Sequence, residues 1–170
     1  MKNVIILSCI LLLQCSSKAS AQIEKFKAAY VFSFCQQMKW PENQNSGDFI
    51  IGVLEQDQAL ANELKATTAN RAVGNQPIKI EVYKNADEIK QCHILYVSGN
   101  QSIILRKAII KLGNYPTVVI TENPNQTPVE STINLFIEND KLAFAFNRDN
   151  AVLKKVTVSD KLLSLSKKQS

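Results

Sequence analysis

Cys92 and His93 set a thiol beside the chain's single histidine. A cysteine nucleophile works when a base stands within hydrogen-bond reach of its sulfur. Neighbours in an extended segment fail that test, because successive side chains point to opposite faces of a sheet. The apolar run Ile94 to Ser98 reads as a strand, so the Cys92-His93 pair is expected to be structural. Metal chemistry lacks its spacings, since neither Cys-x-x-Cys nor His-x-x-x-His occurs. Glu55 and Asp57 follow the apolar run Phe49 to Leu54, at the kind of carboxyl strand end where open sheets place ligands. They lack the further acidic ligands of a calcium loop. Whether another carboxyl faces them, as a paired-carboxylate hydrolase needs, is a matter of spatial separation. Asp140 falls in a turn. No serine stands in Gly-x-Ser-x-Gly, and neither a Gly-x-Gly-x-x-Gly fingerprint nor a phosphate-binding loop follows the first strand. The expectation is a chain with no catalytic residue, no cofactor and no metal.

The elements that would position any site begin after residue 21. Residues 1–21, MKNVIILSCILLLQCSSKASA, combine a basic start, an apolar stretch from Val4 to Leu13 and the small-x-small site Ala19-Ser20-Ala21. This is the pattern of a secretory signal peptide cleaved near Ala21, and the apolar stretch is short for a spanning helix. A lipoprotein reading, with the anchor on Cys15, is disfavoured by the bulky Gln14 before it. The expected organisation is a signal peptide over 1–21 and a single α/β domain over 22–170, exported from the cytosol. Loss of Lys2 and Lys18 with the leader lowers the formal net charge from +5 to +3. The basic residues are scattered rather than striped, so no nucleic-acid partner is expected.

Two cysteines remain after cleavage, Cys35 and Cys92. Two readings stand for them. They pair as a disulfide, which an oxidising compartment permits, or each is a small buried hydrophobe.

Phe26, Tyr30 and Phe34 recur at i, i+4 spacing, with Val31, Cys35 and Met38 widening the stripe. This predicts a helix over 26–39 with a broad buried face. Pro41 turns Trp40 out of helical geometry and ends it. FIIGVL (49–54) reads as a buried strand, in which Gly52 allows close backbone approach. A helix over 57–65 follows, then a polar connection through Arg71 and Gly74. Ile78, Ile80 and Val82 alternate with charge as a half-buried strand does. A short helical turn at 86–90, a strand at 94–98, a helix at 103–112 and the strand TVVIT (117–121) continue the alternation. TINLFIE and KLAFAFN flank Asn139-Asp140 as a β-hairpin, and TVSDKLLSLSKK closes the chain as a short helix with Thr157 and Asp160 at capping-box spacing. Continuous apolar strands alternating with helices define an α/β fold. The expected architecture is a layered sheet of mostly parallel strands flanked by helices, with a C-terminal antiparallel β-hairpin and a short final helix. Trp40 has two readings, a lock for the end of the first helix or an anchor for a partner. Arg71 likewise is a solvated loop residue or a partner contact.

The order of these pieces resembles the YfiR family of exported bacterial proteins. Its opening is matched by Lys27-Ala28-Ala29-Tyr30-Val31-Phe32-Ser33-Phe34 and then Trp40-Pro41. The strands Phe49 to Leu54 and Cys92 to Ser98, the terminal hairpin and Val158-Ser159-Asp160-Lys161-Leu162-Leu163 continue the match. The sequence departs from the family at Cys35, where a small residue is more common, and at Glu130-Ser131, where glycines are common. The resemblance implies a non-enzymatic regulator in the periplasm. Such a protein restrains an inner-membrane signalling protein, a diguanylate cyclase, and is itself sequestered by an outer-membrane lipoprotein. The implied output is cyclic di-GMP control of biofilm, and the implied assembly is a homodimer. Phe26, Tyr30, Phe34, Trp40 and Arg71 are the residues expected to organise a partner or dimer surface. The alternative reading is a small-ligand-binding sensory domain, with a pocket at the ends of Val53-Leu54 and Val97-Ser98.

Overall fold

The computed structural model describes residues 22–99 and 101–168, so the expected leader and its cleavage site lie outside the described residues. Along the chain come α1 (22–37), β1 (Met38–Lys39), β2 (Phe49–Leu54), α2 (Gln58–Thr68), β3 (Ala72–Val73), β4 (Gln76–Tyr83), β5 (Ile94–Ser98) and α3 (Ser102–Leu112). They are followed by β6 (Val118–Glu122), β7 (Ile133–Glu138), β8 (Lys141–Phe146), α4 (Arg148–Leu153), β9 (Thr157–Val158) and α5 (Asp160–Leu165). Seven strands form one sheet in the order β3-β4-β2-β5-β6-β7-β8, and β1 pairs with β9 apart from it. The five strands from β4 to β7 run parallel. The two edges, β3 and β8, are antiparallel. This is the mixed α/β sheet with a terminal hairpin and short final helix that the apolar pattern predicts.

Central strands covered on both faces need no alternation of polar residues, which explains FIIGVL and ILYVS. On one face Phe49, Ile51, Val53, Ile94, Tyr96 and Ile120 pack against Ala28, Val31 and Phe34 of α1 and Leu60 and Leu64 of α2. On the other, Leu54, Leu95 and Val97 meet Ala108 and Leu112 of α3. Gly52 faces this second layer. A Cβ there would stand 2.6 Å from Cε2 of Tyr83 and 3.3 Å from the Cys92 sulfur, so only glycine admits the tyrosine ring against β2.

The β7–β8 hairpin turns on Asn139 (φ 50°) and Asp140 (φ 59°), both left-handed as a primed turn requires. Its register pairs Leu135 with Phe144 and Ile133 with Phe146. The connection from β6 to β7, residues 123–132, joins parallel neighbours without a helix. A buried polar knot holds it. The Asn134 side chain accepts from the Asn123 backbone N–H at 2.9 Å, donates to the Asn123 carbonyl at 2.9 Å, and lies 2.7 Å from the Thr121 hydroxyl. Asn134 is fully buried, so the amide of TINLFIE fastens the loop from inside.

Several boundaries differ from expectation. The helix α1 ends at 37 rather than 39, because Met38 and Lys39 are drawn into antiparallel pairing with Val158 and Thr157. The polar connection after α2 contains β3, which folds back on β4 around Gly74 (φ 58°). Helix α4 is short and polar, and Asn147 caps it by accepting from the Asn150 backbone N–H at 3.2 Å. The cap of α5 is Ser159, whose hydroxyl accepts from the Leu162 backbone N–H at 3.1 Å, so Thr157 serves the strand instead of the helix.

Candidate functional site

In a parallel sheet the useful crevice lies where successive connections leave on opposite faces. Here β2 leads through α2 to β4 on one side, and β5 leads through α3 to β6 on the other. The switch falls between β2 and β5, and a cavity of about 420 Å³ opens at their carboxyl ends. Strand parity selects its lining. Tyr96 and Ser98 share the face of Ile94, and Glu122 shares the face of Ile120, so all three rise on the side covered by α1 and α2. From above, the first turns of α1 bring Glu24 and Lys27. The turn after β2 brings Asp57.

These groups form two bonded sets side by side in the cavity, Glu24-Lys27-Glu122-Tyr96 and Asp57-Ser98. The Lys27 ammonium lies 2.8 Å from Glu24 Oε1 and 2.8 Å from Glu122 Oε2. The Tyr96 hydroxyl donates to Glu122 Oε2 at 2.7 Å. The Ser98 hydroxyl donates to Asp57 Oδ1. Asp57 Oδ2 is buried and has no hydrogen-bond partner among the described residues. Burial pushes the Asp57 carboxyl above the usual carboxylate range, and the Ser98 bond offsets part of that. Burial alone would lower Lys27, but its bonds to Glu122 and Glu24 outweigh that and hold the ammonium above its ordinary range. Leu60, Pro124, Leu135, Phe136 and Ile137 supply an apolar wall.

A second concavity runs along α1. Tyr30, Phe34, the β7–β8 hairpin and α5 border a groove of about 670 Å³. Phe26, Tyr30 and Leu142 line an adjoining hollow of about 590 Å³. Tyr30 is the shared wall. Its hydroxyl donates to the Leu142 carbonyl at 3.1 Å, and its ring meets Phe34 edge-on at 5.9 Å. Phe26 is 51% exposed at the mouth.

The structure thus gathers Phe26, Tyr30 and Phe34 at one groove and leaves Trp40 and Arg71 elsewhere. Phe34 is buried and shapes the groove from beneath. Trp40 sits at the opposite end of the sheet, where its indole N–H donates to the Pro116 carbonyl at 2.9 Å and its ring meets Phe49 edge-on at 4.8 Å. Arg71 is exposed, with its guanidinium 4.7 Å above the Phe32 ring. Cys35 and Cys92 are free thiols in separate clusters on opposite faces of the sheet. Burial pushes both thiols up, Cys92 to about 12. His93 points away from Cys92. Its Nδ1 accepts from the Ile50 backbone N–H at 3.0 Å, and Nε2 donates to the Gln44 carbonyl at 3.2 Å. Its ring stacks on Phe49 at 4.4 Å. A histidine with both nitrogens committed to backbone, beside a thiol held protonated, is not an activated nucleophile pair.

Glu24, Lys27, Tyr96 and Glu122 carry no local motif, and sequence reasoning missed them, whereas Ser98 falls where a pocket is expected, at the end of Val97-Ser98. The one available signal was parity, which places Ser98 and Tyr96 on a single face.

An α/β sheet domain with a polar cavity at its switch point and an apolar groove along its first helix is the class these features define. The chain belongs to the YfiR/HmsC-like family, whose model matches residues 24–167. A comparison with curated proteins finds no match. Among the described residues no helix is long and apolar enough to cross a membrane, and no group of three or more histidine, cysteine or acidic side chains is placed to hold a metal ion.

Proposed function

We propose that this protein is an exported regulator that acts by binding rather than by turnover. Its target is the periplasmic part of a membrane signalling protein, of which a diguanylate cyclase is the example the family suggests. Family membership across residues 24–167 is the observation that carries the reading. The exposed Phe26 and the groove behind it offer a contact surface. Binding one conformation of the target shifts its population by the difference in affinity between its states. The proposed biology follows: lower cyclic di-GMP and less biofilm while the regulator is docked, and release when an outer-membrane lipoprotein withdraws it. Signal-peptide cleavage near Ala21 and a homodimer belong to the same proposal. A photo-crosslinking residue at position 26, activated in intact envelopes, is expected to capture a membrane signalling protein. Capture of none, alongside positive crosslinking in a known envelope complex, refutes the reading.

A second reading is supported by the cavity at the switch point. The domain senses a small solute there, and the occupied state alters what the groove binds. The supporting observation is the buried, unpartnered oxygen of Asp57 inside a concave, partly apolar site.

A further inference from the structure

The cavity between β2 and β5 has a charge pattern that selects its occupant. Its charged lining comprises the carboxylates of Glu24, Asp57 and Glu122 and the single ammonium of Lys27. Lys27 bridges Glu24 and Glu122 at 2.8 Å each, so its charge is spent and it cannot recruit an anion. The same bridge fills the space between two carboxylates that a metal ion would need. What remains unbalanced is Asp57. One of its oxygens receives the Ser98 hydroxyl. The other is buried and meets no geometric hydrogen-bond partner among the described residues. A carboxylate oxygen is an acceptor only, so the missing partner is a donor.

Beside this acidic end lie Leu60, Pro124, Leu135 and Phe136. The volume, about 420 Å³, suits a small organic molecule and is too small for a folded partner. We propose that the cavity binds a small organic cation, a protonated amine whose ammonium lies against the Asp57 carboxylate while a short apolar tail lies along the wall made by Leu60 and Phe136. This rests on the reading of the cavity as a solute site and adds the class of solute.

Three probes of matched size separate the possibilities: n-butylammonium, n-butanol and butyrate, each titrated into the 15N-labelled protein as recovered from the cell envelope. The readout is the shift of the backbone amide signals of Asp57, Ser98, Gly99 and Glu122. The expected result is saturable shifts with butylammonium, at least tenfold weaker binding of butanol, and no response to butyrate. Asp57→Asn keeps the shape and an acceptor for Ser98, and it is expected to weaken butylammonium at least tenfold. Its amide spectrum shows in the same experiment whether it remains folded, and the wild-type comparison of the three probes stands without it. Equal binding of butanol and butylammonium at these amides overturns the cation assignment and leaves a solute site. No response from these amides to any probe overturns both.

Discussion

His93 ties the fold to pH. Its ring is buried against Phe49 and Trp40, with centroids at 4.4 and 6.0 Å. Nδ1 must remain unprotonated to accept from the Ile50 N–H. Burial pushes the imidazole below its ordinary value near 6.5, although the bond to the Gln44 carbonyl works against that shift. The unfolded chain therefore takes up a proton near pH 6.5 while the native chain still refuses it. The unfolded state binds more protons in that interval, so the stability due to neutral His93 is complete above about pH 6.5 and is lost as pH falls toward the native value. The slope for one proton is about 1.4 kcal/mol per pH unit at most. Protonation sets two donors face to face and strands the Ile50 N–H, a loss of about 1–3 kcal/mol. A drop from pH 6.5 to 5 is therefore expected to cost stability through this residue, by at most about 2 kcal/mol. His93→Asn retains an acceptor near the Nδ1 position but does not titrate. Urea unfolding midpoints from pH 8 to pH 5 for both chains isolate the term, because the carboxylates are common to both. The wild type should lose stability faster than the variant below pH 6.5. Parallel curves would refute the assignment of Nδ1 as the buried acceptor.

Other substitutions probe the packing and the knot. Gly52→Ala drives a methyl into the Tyr83 ring at 2.6 Å, and overpacking of this kind is expected to lower stability by about 1–3 kcal/mol, read from denaturant midpoints. Asn134→Ala removes its bonds to the Asn123 N–H and carbonyl; a loss of about 1–3 kcal/mol is expected, with faster amide exchange at residues 123–131 than elsewhere. Trp40→Phe keeps the ring against Phe49 but leaves the Pro116 carbonyl unpaired, for about 1–2 kcal/mol in thermal or chemical unfolding. Unchanged stability in any of the three would contradict the packing or hydrogen bond on which it is based.

The central sheet was readable because its strands are apolar without interruption. FIIGVL and ILYVS have no polar face to show, so they had to lie between two helical layers. The hairpin was readable from Asn139-Asp140, two residues that accept left-handed geometry. What escaped is short or non-local. β3 and β9 have two residues each, and two residues carry no periodicity. The end of α1 was misplaced because its fate depends on Thr157, far along the chain. Asn134 alternates like a solvent-facing residue, yet it is buried because the β6–β7 loop folds over that face. The cavity was legible in place, at the ends of Val53-Leu54 and Val97-Ser98, but its charged lining was not. Glu24, Asp57, Ser98 and Glu122 are distributed over four elements, and only Asp57 and Ser98 stood out, each at the end of a strand. The groove was half legible. The Phe26, Tyr30, Phe34 stripe gave one wall, and nothing local announced that the hairpin and α5 would supply the other.

The clasp between β1 and β9 orders events in time. Met38 and Lys39 find their partners only in Thr157 and Val158, and the Gln37 carbonyl accepts from the Ser159 backbone N–H at 3.0 Å. Ribosomes deliver the amino-terminal helix first and its latch nearly last. Throughout that interval Met38 and Lys39 lack their strand partners, and closing so large a loop is slow. The α1 stripe itself meets Phe49, Ile94 and Phe144 before the latch exists. Truncation before Thr157 should then leave the sheet formed and the end of α1 frayed.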